Sequence, residues 1–166
     1  MSIIGEPLKV SAVNKPEMSN IRAHGTCVAI EGEAVLLRGK PGSGKSDLAL
    51  RLIDGGALLV ADDQTELSRG AGGILARAPA AIAGRLEVRG IGILPCPSVA
   101  SAPLRLVVDL VPAREVERLP EAQSCSYLDV SLPLVHLAPF EASAPAKIRI
   151  ALRTLGIAAQ SYESIT

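Results

Sequence analysis

Aromatic side chains are almost missing from this chain: there is no tryptophan, one phenylalanine and two tyrosines among 166 residues. Proteins that grip single-stranded nucleic acid stack its bases on aromatic rings, so such a platform has no material here. An excess of one charge is missing as well. Lysine plus arginine and aspartate plus glutamate both number 17, which argues against bulk electrostatic binding to nucleic acid or an anionic membrane and leaves only a local basic patch open. The two histidines, His24 and His136, form no HExxH pair, so zinc has no ligand set. Cys27, Cys96 and Cys125 are odd in number and nowhere at CxxC spacing; they read as small buried hydrophobes in a reducing compartment. No stretch approaches the ~20 apolar residues of a bilayer span, and the N-terminus, despite Lys9 and Lys15, has no apolar run of signal-peptide length. The expectation is a cytoplasmic protein that binds neither nucleic acid nor membrane.

What is present is core material. Hydrophobic residues make up 48% of the chain, enough for one domain of ordinary size with a real interior. Residues 1–20, punctuated by Gly5, Pro7, Asn14 and Pro16, read as a tail with at most one edge strand. Thr26–Ile30 and Ala34–Leu37 are β-type runs split by Glu31-Gly32-Glu33, which predicts a hairpin. Leu48, Ala49, Leu52 and Ile53 fall at helical spacing before Gly55-Gly56, which supplies the stop. The continuous apolar runs Ala57–Ala61 and Leu104–Val111 predict strands buried on both faces. A last helix is predicted over 145–155, with Ser143 as N-cap, Ile148, Ala151, Leu152 and Leu155 on one face and Gly156 at its end. Strand, loop, helix and buried strand in this order mean an α/β fold. The expected limits are a tail at 1–20, one domain over 21–156 and a second tail over 157–166.

Between the second strand and the first helix stands Gly39-Lys40-Pro41-Gly42-Ser43-Gly44-Lys45-Ser46, a full match to the phosphate-loop pattern GxxxxGK[ST]. The glycines let backbone N–H groups converge on phosphate oxygens, and the helix start adds its positive dipole end. Lys45 is placed to reach the β- and γ-phosphates and the Ser46 hydroxyl to ligate Mg²⁺. A nucleoside triphosphate with magnesium is the expected ligand. Downstream there is no NKxD base-reading motif of the kind GTPases carry. Instead Val60-Ala61-Asp62-Asp63 ends a buried strand, where an α/β sheet presents groups to its ligand. One carboxylate can organise magnesium while the other takes a proton from an attacking hydroxyl; a solvated loop start would read the same way.

At this point the chain resembles the bacterial HPr kinase/phosphorylases. The likeness is carried by His24-Gly25, the phosphate loop with Asp47 and Leu48-Ala49-Leu50, Leu59–Asp63, the run Leu86-Glu87-Val88-Arg89-Gly90-Ile91-Gly92-Ile93, and Leu132-Pro133-Leu134, in that order. The resemblance implies a nucleotide-binding core similar to that of phosphoenolpyruvate carboxykinase. It implies ATP- and Mg²⁺-dependent phosphorylation of a serine of the phosphocarrier protein HPr, regulating the phosphotransferase system, and in many members phosphorolysis of that seryl-phosphate. Carried over residue by residue, Asp63 is the proton acceptor, with His24 beside it. Lys45 stabilises the transferring phosphoryl, Ser46 and Glu87 hold magnesium, Glu87–Cys96 forms the signature loop and Arg118 matches the catalytic arginine. The resemblance also implies a homo-oligomer, a hexamer in the family.

Each assignment has a plainer rival. His24 can be a histidine capping a strand, Glu87 and Arg89 an ion pair on one strand face, and Arg118 part of a solvated helix face with Arg114, Glu115 and Glu117. Two departures from the family stand out. The N-terminal domain of longer members has no counterpart, as in the short form of α-proteobacteria. The late loop, rich in Pro-Gly-Arg-Asn in the family, reads Ala138-Pro139-Phe140-Glu141-Ala142-Ser143-Ala144-Pro145-Ala146-Lys147, which puts the reverse activity in doubt. A regulatory module that binds nucleotide without chemistry and a small-molecule P-loop kinase are the alternatives.

Overall fold

A computed structural model describes residues 20–157; apart from Asn20 and Ile157, the two expected tails lie outside the described residues. The predicted hairpin is there. Strands β2 (Thr26–Ile30) and β3 (Glu33–Arg38) pair antiparallel, and the two residues between them, Glu31 and Gly32, both have positive φ, as a two-residue hairpin turn requires. Helix α1 (Lys45–Asp54) follows the phosphate loop and buries Leu48, Ala49 and Leu52.

Strand β4 (Leu58–Ala61) is the run expected to be buried on both faces, and Leu59, Val60 and Ala61 are buried. Its partner is β2, antiparallel, at the end of the sheet. Its burial therefore comes from the layers above and below it and not from flanking parallel strands. The long strand β9 (Ser101–Leu110) organises the rest. Its start pairs antiparallel with β6 (Gly73–Arg77), its middle runs parallel to β3, and its end is parallel to β11 (Val130–Leu137). With β1 (Asn20–His24), β5 (Gln64–Gly70) and β10 (Gln123–Tyr127) this makes a nine-stranded mixed sheet. A separate hairpin is formed by β7 (Arg85–Val88) and β8 (Gly92–Pro95).

Strand alternation sorts the core into two layers. Val35 and Leu37 face the helices together with Leu48, Leu52, Leu106 and Ile148. Ala34 and Leu36 face the opposite way, against Leu67, Ile74, Leu104 and Leu132. The fold class is α/β as expected, with the sheet dominant.

The last helix, α2, is regular over Ala144–Ala151 with Ser143 at its N-cap and Pro145 in its first turn. The expected end at Gly156 is not found: Leu152–Ile157 continues as a wider π-type turn. Widening rotates the face, so Ile148 and Leu152 are buried while Leu155 is exposed. Gly156 lies inside that turn, where a β-carbon would meet the Arg105 carbonyl oxygen at 3.0 Å. Arg149 donates to the Leu52 carbonyl at 3.3 Å, capping the end of α1 from α2. No helix among the described residues is long and apolar enough to cross a membrane.

Candidate active site

The phosphate loop leaves β3 at Arg38 and enters α1 at Lys45. Gly42 and Gly44 have φ of 82° and 99°, a region that L side chains avoid, so these two glycines set the curvature of the loop. A β-carbon on Gly39 would sit 2.3 Å from Ser43 Oγ; the loop closes on itself there and tolerates no side chain. Ser43 Oγ is buried without a partner among the described residues. Lys45 is buried, and its ammonium donates to the carbonyl oxygens of Gly39 (2.8 Å) and Lys40 (3.2 Å). A loop curved by glycines, an unpaired hydroxyl and an ammonium folded over it fit the phosphates of a nucleotide.

The hub beside the loop is Asp62. It is 9% exposed. Its Oδ1 accepts from Ser46 Oγ at 2.8 Å and from Thr26 Oγ1 at 3.1 Å, and its Oδ2 accepts from the Glu87 N–H at 3.0 Å. One carboxylate thus joins the phosphate-loop helix, strand β2 and the β7–β8 hairpin. Hard oxygen ligands of this kind, a hydroxyl and a carboxylate, suit magnesium shared with phosphate oxygens. No cluster of three or more His, Cys, Asp or Glu stands ready as an all-protein metal cage among the described residues.

Asp63 follows with φ of 63°, a strained conformation that aspartate tolerates better than most residues. Its backbone is held at both ends: the Asp63 N–H donates to Thr26 Oγ1 at 3.1 Å, and the Gly25 N–H donates to the Asp63 carbonyl at 2.8 Å. The effect is a fixed backbone that carries an exposed carboxylate. His24 ends β1 opposite Gln64 in the register, which places it beside this turn. Its side chain is exposed.

Glu87 reaches the hub through its backbone, while its side chain is exposed. The expected strand face shared by Glu87 and Arg89 is not formed, because β7 ends at Val88 and Arg89 lies in the turn. The stretch read as the signature loop is this hairpin. Arg118 lies on no helix: a short 3₁₀ turn covers only Ala113–Glu115, and Arg118 is exposed in the irregular segment beyond it. Of the expected site residues, then, Ser46 and the Glu87 backbone meet at Asp62, Asp63 and His24 lie alongside, Lys45 folds over the loop carbonyls, and Arg118 is not drawn in.

Three residues of the site carry no motif. Thr26 reads as an ordinary strand residue, and only its complete burial among apolar neighbours gives it away. Arg38 and Asp109 form a two-pronged ion pair at 2.7 and 2.9 Å. They sit opposite each other in the β3–β9 register, at the foot of the loop. Tyr127 accepts from Arg38 at 3.0 Å, and the carboxylate and phenol hold the guanidinium pKa above its ordinary value. Of the cysteines, Cys27 is fully buried while Cys96 and Cys125 are half-buried. Burial raises the Cys96 thiol, and the Asp62 charge adds to the shift.

Beside the loop opens a cleft of about 1060 Å³, lined by Gly39–Ser43, Asp109–Glu115, His136 and Ala138–Glu141. Asp62, Asp63 and Glu87 are not part of its lining. Asp62 thus meets the loop at Ser46, while the cleft runs along Gly39–Ser43.

The fold is α/β, with a loop that matches the phosphate-loop pattern between β3 and α1. Residues 17–148 match the family model described as the HPr Serine kinase C-terminal domain, and the chain belongs to that family. It is 36% identical over 147 residues to an HPr kinase/phosphorylase of Cupriavidus metallidurans, covering 82% of this chain and 44% of that protein. An HPr kinase/phosphorylase of Bordetella pertussis is 42% identical over 108 residues, covering 58% of this chain and 35% of that protein. The chain thus spans less than half the length of these relatives. In fold it is similar to the HPr(Ser) kinase/phosphatase from Coxiella burnetii, with a TM-score of 0.75 at 24% identity over 87% of this chain and 95% of that one.

Proposed function

We propose that this protein is an ATP- and Mg²⁺-dependent serine kinase whose substrate is the phosphocarrier protein HPr. The observation that carries the reading is the 2.8 Å bond between Ser46 Oγ and Asp62, which joins the phosphate loop to the carboxylate pair in a chain of this family. In the proposed reaction the seryl oxygen of HPr forms a bond to the γ-phosphorus as the bond to the β,γ-bridging oxygen breaks. The seryl proton passes to the Asp63 carboxylate, and ADP leaves. Ser46 and Asp62, with Glu87, would hold magnesium, which would supply charge neutralisation at the phosphates. Lys45 turns from the loop carbonyls to the phosphates, and His24 assists the proton transfer from beside Asp63. Arg118 stays a weaker candidate, because it acts only if the exposed segment that carries it closes on the substrate.

Regulation of the phosphotransferase system, a cytoplasmic location and assembly into a homo-oligomer belong to the same proposal and follow from family membership. The exposed Asp63 carboxylate next to Asp62 favours a kinase over a passive nucleotide-binding module, which needs no proton acceptor.

The test is Lys45→Ala. A folded variant, checked by circular dichroism, is expected to lose transfer of label from the γ-phosphoryl of ATP to HPr. Undiminished transfer in that variant removes the phosphate loop from the reaction.

A further inference from the structure

The cleft beside the phosphate loop has one aromatic wall. Phe140 is the single phenylalanine of the chain, and it is 71% exposed. Its ring abuts the last glycine of the loop: a β-carbon on Gly44 would lie 2.9 Å from Phe140 Cζ. The segment that carries the ring is tied down on both sides. Arg51 of α1 donates to the Pro139 carbonyl and, at 3.3 Å, to the Glu141 carbonyl. The Glu141 carboxylate accepts from Lys147 at 2.7 Å. An aromatic ring that is held in place yet left in solvent presents a free face to whatever enters the cleft.

The position of the cleft says what that is. It shares the loop residues Gly39–Ser43 with the phosphate cradle but excludes Asp62 and Asp63. A triphosphate lying on the loop has its reacting end toward Asp62 and Asp63, so its other end, bearing sugar and base, emerges into the cleft. Phe140, Pro139 and Pro112 supply apolar surface there, and Lys40 and Arg114 supply positive charge beside Glu115 and the ion-paired Asp109 and Glu141. A flat base attached to a polyanion matches both.

We propose that the cleft is the nucleobase subsite and that Phe140 is its stacking surface, an inference that rests on the phosphate-loop reading above. The probes are Mg-ATP and Mg-tripolyphosphate, which has the phosphates without a base, titrated calorimetrically into the full chain. Wild type is expected to bind ATP more tightly than tripolyphosphate. Phe140→Ala is expected to weaken ATP by about tenfold while leaving tripolyphosphate unchanged, and Phe140→Tyr to restore ATP binding. Equal ATP affinity in wild type and Phe140→Ala overturns the subsite. So does an equal loss for both ligands, which would mean that the ring only shapes the loop. A wild-type protein that binds neither ligand overturns the phosphate-loop reading and the subsite together, a result distinct from loss of base discrimination alone.

Discussion

Asp62 and Asp63 are neighbours with opposite constraints. The first is fixed by its side chain, which accepts from Ser46, Thr26 and Glu87. The second is fixed by its backbone and keeps its carboxylate free. A group that organises a cation gains from a locked orientation, whereas one that takes a proton must reach the substrate hydroxyl. Asp63→Asn is therefore expected to lower HPr phosphorylation by roughly 10²–10⁴-fold with an unchanged magnesium requirement. Asp62→Asn is expected to raise the magnesium concentration needed for half-maximal rate. A magnesium titration of both variants checks this, and the reverse pattern would exchange the two roles. Cys27 gives a second prediction at this scale. Its complete burial pushes the thiol well above its ordinary value of 9.0. Above that pH the unfolded chain releases the thiol proton and the folded chain keeps it, so stability falls as pH rises, by up to about 1.4 kcal/mol per unit. Cys27→Ala should flatten the slope of unfolding free energy between about pH 9 and 11, measured in urea; an unaltered slope would mean that the thiol ionises within the fold.

At the scale of elements, the loop between β11 and α2 bears on the proposed direction of the chemistry. Phosphorolysis needs inorganic phosphate held in line with the seryl-phosphate, a task suited to a free guanidinium and open backbone N–H groups. Here Lys147, the one cation of residues 138–147, is paired with Glu141 at 2.7 Å. Arg51, which donates into the loop, is occupied by Asp47 and two loop carbonyls, and Arg114 lines the cleft from another segment. Phosphate-dependent release of pyrophosphate from seryl-phosphorylated HPr is accordingly expected to be far slower than the forward reaction. Comparable forward and reverse rates at saturating phosphate would show that another group orients it. The elements that were legible in the sequence are those whose signal is local. The 3.6-residue period of α1, the Glu31-Gly32 turn and the phosphate loop each lie within a dozen residues. What escaped was long-range. Nothing near Arg38 announces Asp109, 71 residues away, and nothing in β9 says that three strands share it. The widening after Ala151 reflects the close approach of Gly156 to Arg105, a tertiary contact that no helical period contains. Thr26 shows no more in the sequence, because one hydroxyl in an apolar strand has the same pattern whether or not it holds a carboxylate.

Over the whole molecule, the two core layers on either side of the sheet make the site rigid where the chemistry needs it. Strands β2, β3 and β4 lie side by side in one sheet, β2 carrying Thr26 while β3 and β4 lead directly into the phosphate loop and Asp62, among buried aliphatic neighbours. A chain spanning less than half of its relatives still brings the loop, the carboxylate pair and the β7–β8 hairpin together. Kinase activity in this portion alone follows if those groups suffice. The most direct measurement is the intact mass of purified HPr after incubation with this protein, ATP and magnesium, with the modified residue located by fragmentation. One phosphoryl group gained on a serine, dependent on ATP and on magnesium, is the expected outcome. HPr that keeps its unmodified mass alongside a folded, ATP-binding protein would mean that the site serves another acceptor or none.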